Sequence, residues 1–281
     1  MTTGALQPPV QSHGTPAQRI RRWLGHNALF VYTFAAIVYL MRPIAGMILV
    51  SFNRPAGKSN FAWREFSFDA WLNPFAPLGL SDAVAASLRI AFISTIVATL
   101  LGTLIGLGLT RYVFRGRAAT NLIIFLPMAT PEIVLGASLL TLFVSIGMAR
   151  NELTILIAHI MFNISYVVVT IRARLAGFDR RLEEAAMDLG ATEMVTFWKV
   201  TFPLIFPGIL AAALLAFSLS IDDFVITNFT AGSTVTLPMY IYGATRIGVP
   251  VQVNVIGTII FGTAVGAVVL STLLQRRDRA A

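Results

Sequence analysis

The stretch Glu184-Ala185-Ala186-Met187-Asp188-Leu189-Gly190, followed by Val200-Thr201-Phe202-Pro203, lies in a polar interruption between two long apolar runs, residues 153–171 and 206–229. Connections between bundled helices ordinarily take roughly 2–8 residues. This one occupies residues 175–205 and reads as helix, glycine, helix. A loop that touches nothing needs no structure of its own, so its length points to something outside the bundle pressing on it.

The local signals are specific. Asp179 is placed to cap a helix starting at Arg180, and Gly190 to end it. Between them Leu182, Ala185, Ala186 and Leu189 recur at i, i+3, i+4 and i+7, giving one shallow apolar stripe backed by Glu183, Glu184 and Asp188. Thr192 is placed to cap a second helix, which Pro203 is expected to stop. A helix lying in the headgroup layer is the competing reading, but an acidic face is repelled by anionic inner-leaflet lipid. Docking to a protein groove fits better.

Outward from this loop the chain is a membrane protein. Of 281 residues 56% are hydrophobic and 12% charged, and the mean hydropathy is +0.76. Soluble domains carry about 25% charged residues. Six apolar runs (residues 28–52, 83–110, 119–148, 153–171, 206–229 and 251–274) reach or approach the roughly 20 residues a helix needs to cross a bilayer. The fold class read from them is all-α, a polytopic membrane protein with six transmembrane helices. The domain division is a largely disordered cytoplasmic tail over residues 1–27, then one membrane domain over 28–281.

An even number of spans puts both termini on one side, and basic residues choose it. The loops on the side of the termini hold Arg19, Arg21, Arg22, Arg111, Arg115, Arg117, Arg172, Arg174, Arg180, Arg181, Lys199, Arg276, Arg277 and Arg279. The other side holds Arg54, Lys58, Arg64, Arg89, Arg150 and Arg246. Both termini are therefore expected in the cytoplasm, with the chain in the bacterial inner membrane. The net charge of +8 reflects this topology and is no nucleic-acid footprint. Aromatic residues in the outer loop (Trp63, Phe66, Phe68, Trp71, Phe75) read as an interfacial belt or as a resting surface for an outer partner.

The pattern Glu184-Ala185-Ala186, then Gly190, then a hydrophobic residue and Pro203, resembles the EAA loop of ATP-binding-cassette importer permeases. The likeness extends from the first span to Leu274. It implies the type I importer fold, with Glu184, Ala185, Ala186, Gly190 and Pro203 coupling the chain to an ATPase subunit. The implied partners are a second, homologous permease, two ATP-binding subunits, an extracytoplasmic substrate-binding protein and membrane lipid. A second set of residues resembles the second permease of spermidine/putrescine importers: Ser220-Ile221-Asp222-Asp223-Phe224-Val225-Ile226-Thr227, Phe229-Thr230-Ala231-Gly232, Thr236-Leu237-Pro238, Ile241-Tyr242, Arg246 and Asn254. That likeness implies a polyamine as cargo. Importers of thiamine, iron or an oxyanion remain alternatives, as does a stand-alone channel or secondary transporter.

Carboxylates within apolar runs cost on the order of 2.5–3.5 kcal/mol each at a helix centre and need a reason. Glu132 follows Thr130 and Pro131. Either Thr130 caps a restarted helix whose dipole favours Glu132, or the break builds a site at the midplane, as transporters do. Asp222 and Asp223 point about 100° apart on a helix, so one is expected to line the passage while the other caps the next segment or pairs with Arg42 or Arg246. Phe224, Tyr166 and Tyr240 are candidate faces for a cargo ammonium. Arg42 alternatively snorkels outward. Gly102, Gly106 and Gly108 form a close-packing series.

Other chemistry is lacking in the sequence. There is no cysteine, the nearest string to a phosphate-binding loop, Gly57-Lys58-Ser59, has Phe52 where glycine is required, and His13, His26 and His159 are not spaced as zinc ligands. The chain is expected to be no enzyme and to bind no cofactor, with ATP and magnesium held by the partner ATPase.

Overall fold

The computed structural model describes the backbone of residues 16–57, 59–60 and 62–278 and the side chains of 27–57, 59–60 and 62–266. In chain order the first helices are α1 (Pro16–Val50), α2 (Asp69–Leu72), α3 (Leu80–Arg111), α4 (Arg117–Ala129), α5 (Glu132–Ser145) and α6 (Glu152–Ala176). Then come α7 (Arg181–Asp188), α8 (Glu193–Thr196), a π-turn (Phe197–Thr201), α9 (Phe202–Ile221), α10 (Val225–Thr230), α11 (Leu237–Ile247) and α12 (Val251–Asp278). Among the described residues the only strand-like pairing is one bridge, Asn53 with Phe66. The expected tail over residues 1–27 falls partly outside the described residues, and α1 is already helical from Pro16.

Two compact units divide the chain, one of residues 1–56, 60–72 and 251–281, the other of residues 57–59 and 73–250. In the first, buried Asn53 ties the chain after α1. Its amide donates to Asn60 Oδ1 and to the Ala62 carbonyl, both at 2.7 Å, and its oxygen accepts from Arg64 N–H. Phe52 then stacks on Phe66 and Trp71, with Phe68 against its edge. Three of the aromatics expected in a belt are thus gathered into one cluster, because Asn53 folds the loop back on itself. Ala70 and Trp71 pack on Val251 and Val255 of α12.

The second unit is built around α3, α6 and α9. Gly102 and Gly106 let α3 approach α6 closely: a Cβ at Gly102 would stand 2.6 Å from Val167 Cγ1, and one at Gly106 3.0 Å from Ile171 Cγ2. Gly108, the third of the series, faces open space. Asn151 starts α6 with a capping box: its side chain accepts from Leu153 N–H while Thr154 Oγ1 accepts from Asn151 N–H, each at 2.8 Å. Leu107, Val167, Ile171, Ile205 and Ala212 form the buried seam among the three helices.

Two of the six expected runs are interrupted. Among the described residues four helical stretches are long and apolar enough to cross a membrane alone, and a fifth counts if α4 and α5, bent by 109°, are taken as one. Pro131 forces the preceding residue into extended backbone, so Thr130 leaves the helix at φ −83°, ψ 131°. Thr130 does not cap α5. Its hydroxyl donates back to the Leu126 carbonyl at 2.7 Å and closes α4 instead. The fifth run breaks at residues 222–224, between α9 and α10. The sixth lies on α12, whose side chains are described only to residue 266.

Candidate functional site

The two breaks meet. A cavity of about 600 Å³ is lined by the α4–α5 corner (Pro127 to Glu132), by Phe162 and Tyr166 of α6, and by Leu219 and residues Asp222 to Ile226. Of the residues expected on the passage, Glu132, Tyr166, Asp222, Asp223 and Phe224 all reach this one cavity. Tyr240 does not. It sits on α11 with its ring beside Gly79, at the start of α3. Tyr242, two residues on, places its ring 4.7 Å from that of Phe224 and accepts a hydrogen bond from Arg246 at 2.7 Å.

The acidic pair divides, because the helix breaks between its end at Ile221 and the restart at Val225. Asp223 turns inward, its side chain only 6% exposed. Oδ2 accepts from Thr227 N–H and from Thr227 Oγ1–H, both at 2.7 Å, so Asp223 serves the orphan amides at the start of α10. His159, buried in α6, faces the same oxygen at 3.3 Å through Nε2 and lies 3.0 Å from Thr227 Oγ1. Because the Thr227 hydroxyl donates its hydrogen bond to the carboxylate, its oxygen accepts from His159, which assigns a proton to Nε2. His159 Nδ1 lies 2.6 Å from Ser220 Oγ, itself 3.0 Å from Ser94 Oγ. One chain of polar contacts therefore joins α3, α6, α9 and α10.

Asp222 is different. It ends α9 as its C-cap and is exposed to the cavity, with no side-chain partner among the described residues. Helix C-termini carry partial negative charge from their unpaired carbonyls. The C-terminal ends of α4 and α9 both border the cavity, as do the N-terminal ends of α5 and α10, where Glu132 and Asp223 offset the positive helix ends. The carboxylates of Asp222 and Glu132 make the border of the cavity acidic. Phe224 and Tyr166 add aromatic faces.

The structured loop carries the other candidate surface. Asp179 Oδ1 accepts from Arg181 N–H at 3.0 Å, so α7 starts one residue later than expected. Gly190 has φ +89°, Gly190 N–H bonds the Met187 carbonyl and Ala191 N–H the Ala186 carbonyl, a complete Schellman ending. No residue of α7 is buried; Leu182, Glu184, Ala185 and Leu189 are exposed and Ala186 half-buried. Glu183 faces the protein instead, accepting from Arg111 and from Thr201 Oγ1.

Thr192 caps α8 as expected, accepting from Val195 N–H. Pro203 does not stop the helix. One helical rod runs on from Glu193 to Ile221. The π-turn makes this possible: Phe202 N–H reaches back five residues to the Phe197 carbonyl, and the widened turn accommodates a proline ring that would collide with a carbonyl in a regular α-helix. Sequence reasoning also missed His159 and Tyr242 as site residues. The available signals were a polar side chain inside an apolar run and the i, i+4 pair Tyr242–Arg246.

The family described as "Binding-protein-dependent transport system inner membrane component" matches residues 98–277. The spermidine/putrescine transport system permease protein PotC of Haemophilus influenzae is 37% identical over 248 residues, 88% of this chain and 96% of that protein. The putrescine transport system permease protein PotI of Escherichia coli K12 is 38% identical over 246 residues, 85% of this chain and 86% of that protein. Among solved structures, a chain of a bacterial ABC transporter involved in import of the acidic polysaccharide alginate superposes with a TM-score of 0.65 at 17% identity, covering 92% of this chain and 99% of that one. A chain of the MetNI methionine ABC transporter gives 0.56 at 19% identity, covering 67% and 92%. These two similarities concern the fold.

Proposed function

The chain belongs to the family of binding-protein-dependent transport system inner membrane components, and on that premise we propose that it is the permease subunit through which an ATP-driven importer passes polyamines. The observation that carries the cargo is the acidic border of the cavity at Asp222, read together with relatives named for spermidine and putrescine transport. A polyamine is a flexible chain of ammonium groups. It is suited by more than one carboxylate, here Asp222 and Glu132, with the rings of Phe224 and Tyr166 lining the same cavity. Asp223 supports the site from behind and leaves Asp222 as the exposed charge.

The exposed face of α7 is the docking element for an ATPase subunit, with Glu184, Ala185, Ala186 and Gly190 in the motif and Pro203 at the head of α9. Shallow alanines suit close approach to a groove. The assembly contains a second permease, two ATP-binding subunits that hold ATP and magnesium, and an outer binding protein that selects the cargo. The excess of basic residues beside α7 and at both chain ends favours a cytoplasmic position for them. Closure of the ATPase pair displaces α7, and the permease pair alternates between outward and inward openings.

The test is uptake by the complete complex in liposomes, with the binding protein supplied outside and ATP inside. ATP-dependent accumulation of labelled putrescine or spermidine, reduced at least tenfold by Asp222→Asn, is expected. Failure to accumulate either polyamine while another solute enters would replace the cargo and leave the permease assignment standing.

A further inference from the structure

We propose that Glu183 is the positioning residue that fastens the docking helix to the helices of the passage, an inference that rests on the permease reading above. Glu183 is the one acidic side chain of α7 turned away from the open surface, 14% exposed where its neighbour Glu184 lies open. Its carboxylate receives two donors from two different elements: the Arg111 guanidinium at the last residue of α3, and the Thr201 hydroxyl at the end of the π-turn. Charge-assisted hydrogen bonds of this kind are roughly twice as strong as neutral ones and fix orientation as well as distance. Arg180, the N-cap of α7, adds a parallel tie by donating to the Thr110 carbonyl at 3.1 Å. The first turn of α7 is thereby clamped to α3 and α9 at one point.

The location of the clamp gives it a transmission role. α9 runs from the Thr201 end to Asp222 at the cavity, about 30 Å at 1.5 Å per residue. α3 carries Ser94, which holds Ser220 and through it His159. A displacement of α7 therefore reaches the cavity through the two rods that Glu183 grips. Tyr112, Met187 and Phe197 join the polar side chains around the adjoining cavity of about 250 Å³, but α7 itself buries no residue, so Glu183 is its most enclosed polar tie. Remove the carboxylate and α7 keeps its outer docking face but loses its grip on the passage.

The experiment uses the complete reconstituted complex and measures three things: ATPase retained with the permease, ATP hydrolysed, and polyamine taken up per ATP. Glu183→Ala is expected to retain the ATPase at the wild-type ratio and to hydrolyse ATP, while uptake per ATP falls at least tenfold. Glu183→Gln, which preserves shape and can still accept from Thr201, should lie between. The reciprocal pair Glu183→Arg with Arg111→Glu should recover part of the lost coupling, an outcome that generic damage to the fold does not produce. Unchanged uptake per ATP in Glu183→Ala overturns the proposal. So does a swapped pair that assembles and hydrolyses ATP with no recovery. Should Glu183→Ala fail to assemble, the Gln variant and the swap decide by the same criteria. A wild-type chain that retains no ATPase at all overturns the permease reading as well, which separates the two failures.

Discussion

His159 Nε2 lies 3.3 Å from Asp223 Oδ2, and the two side chains are 1% and 6% exposed. Removing His159 takes one partner from buried Asp223, which keeps only its bonds from Thr227; losing a buried hydrogen-bond partner costs about 1–3 kcal/mol. His159→Leu should therefore destabilise the purified protein by that order, read as a lowered melting temperature in detergent. Asp223→Asn in the same background should recover part of the loss, because the stranded charge goes with it. A double variant no more stable than the single would show that the pair is not coupled.

Asp222 and Asp223 should separate by measurement. Asp222→Asn removes a charge open to the cavity and bonded to no described side chain, so melting should shift little while cation uptake falls. Asp223→Asn weakens the support of Thr227 and His159, so its primary effect should be on stability. Parallel melting and uptake curves for the two variants check this division.

Much of this was legible in advance. Apolar runs of membrane-crossing length and the helix ends at Gly190 and Thr192 follow from spacing and residue chemistry, while Asp179 serves α7 from one residue outside its N-cap. The π-turn was not legible, because nothing in Phe197 to Thr201 marks a widened turn; Pro203 read as a stop since a regular helix was assumed. The break at Thr130–Pro131 could be seen, but the 109° bend depends on packing that no local pattern encodes. His159 was passed over because one histidine in an apolar run ordinarily signals packing. Tyr240 and Tyr242 differ by two helical positions, enough to turn the wrong ring toward Phe224.

The small-residue series on α3 makes a graded prediction. Gly102→Ala would put a methyl 2.6 Å from Val167 Cγ1 and 3.2 Å from the Ile164 carbonyl. Overpacking of this kind costs about 1–3 kcal/mol. Gly108→Ala meets nothing within 4 Å and should leave melting within about 0.5 kcal/mol of wild type. Equal effects from the two substitutions would contradict the packing of α3 on α6.

Gly190 tests conformation apart from space. A side chain there meets nothing within 4 Å, but φ is +89°. Asn tolerates left-handed backbone better than a β-branched residue does. Gly190→Asn should therefore retain more ATP-coupled uptake than Gly190→Val. Gly190→Asp, which also adds charge to the docking face, should abolish coupled ATPase activity, as should Glu184→Lys. Uptake and hydrolysis by the reconstituted complex provide both readings.

The π-turn before α9 has a consequence for chain editing. A π-turn is one surplus residue absorbed into a helix, so the rod on either side keeps the phase it would have without that residue. A single deletion elsewhere in Glu193–Ile221 would rotate everything downstream by about 100° and swing Ser220 away from His159. One deletion within Phe197–Thr201 instead leaves that alignment standing and converts the rod to plain α-helix. Pro203 would then meet the carbonyl four positions back, so the shortened chain should require its replacement by alanine. The proline depends on the surplus residue, so the deletion should be tolerated only together with replacement of Pro203.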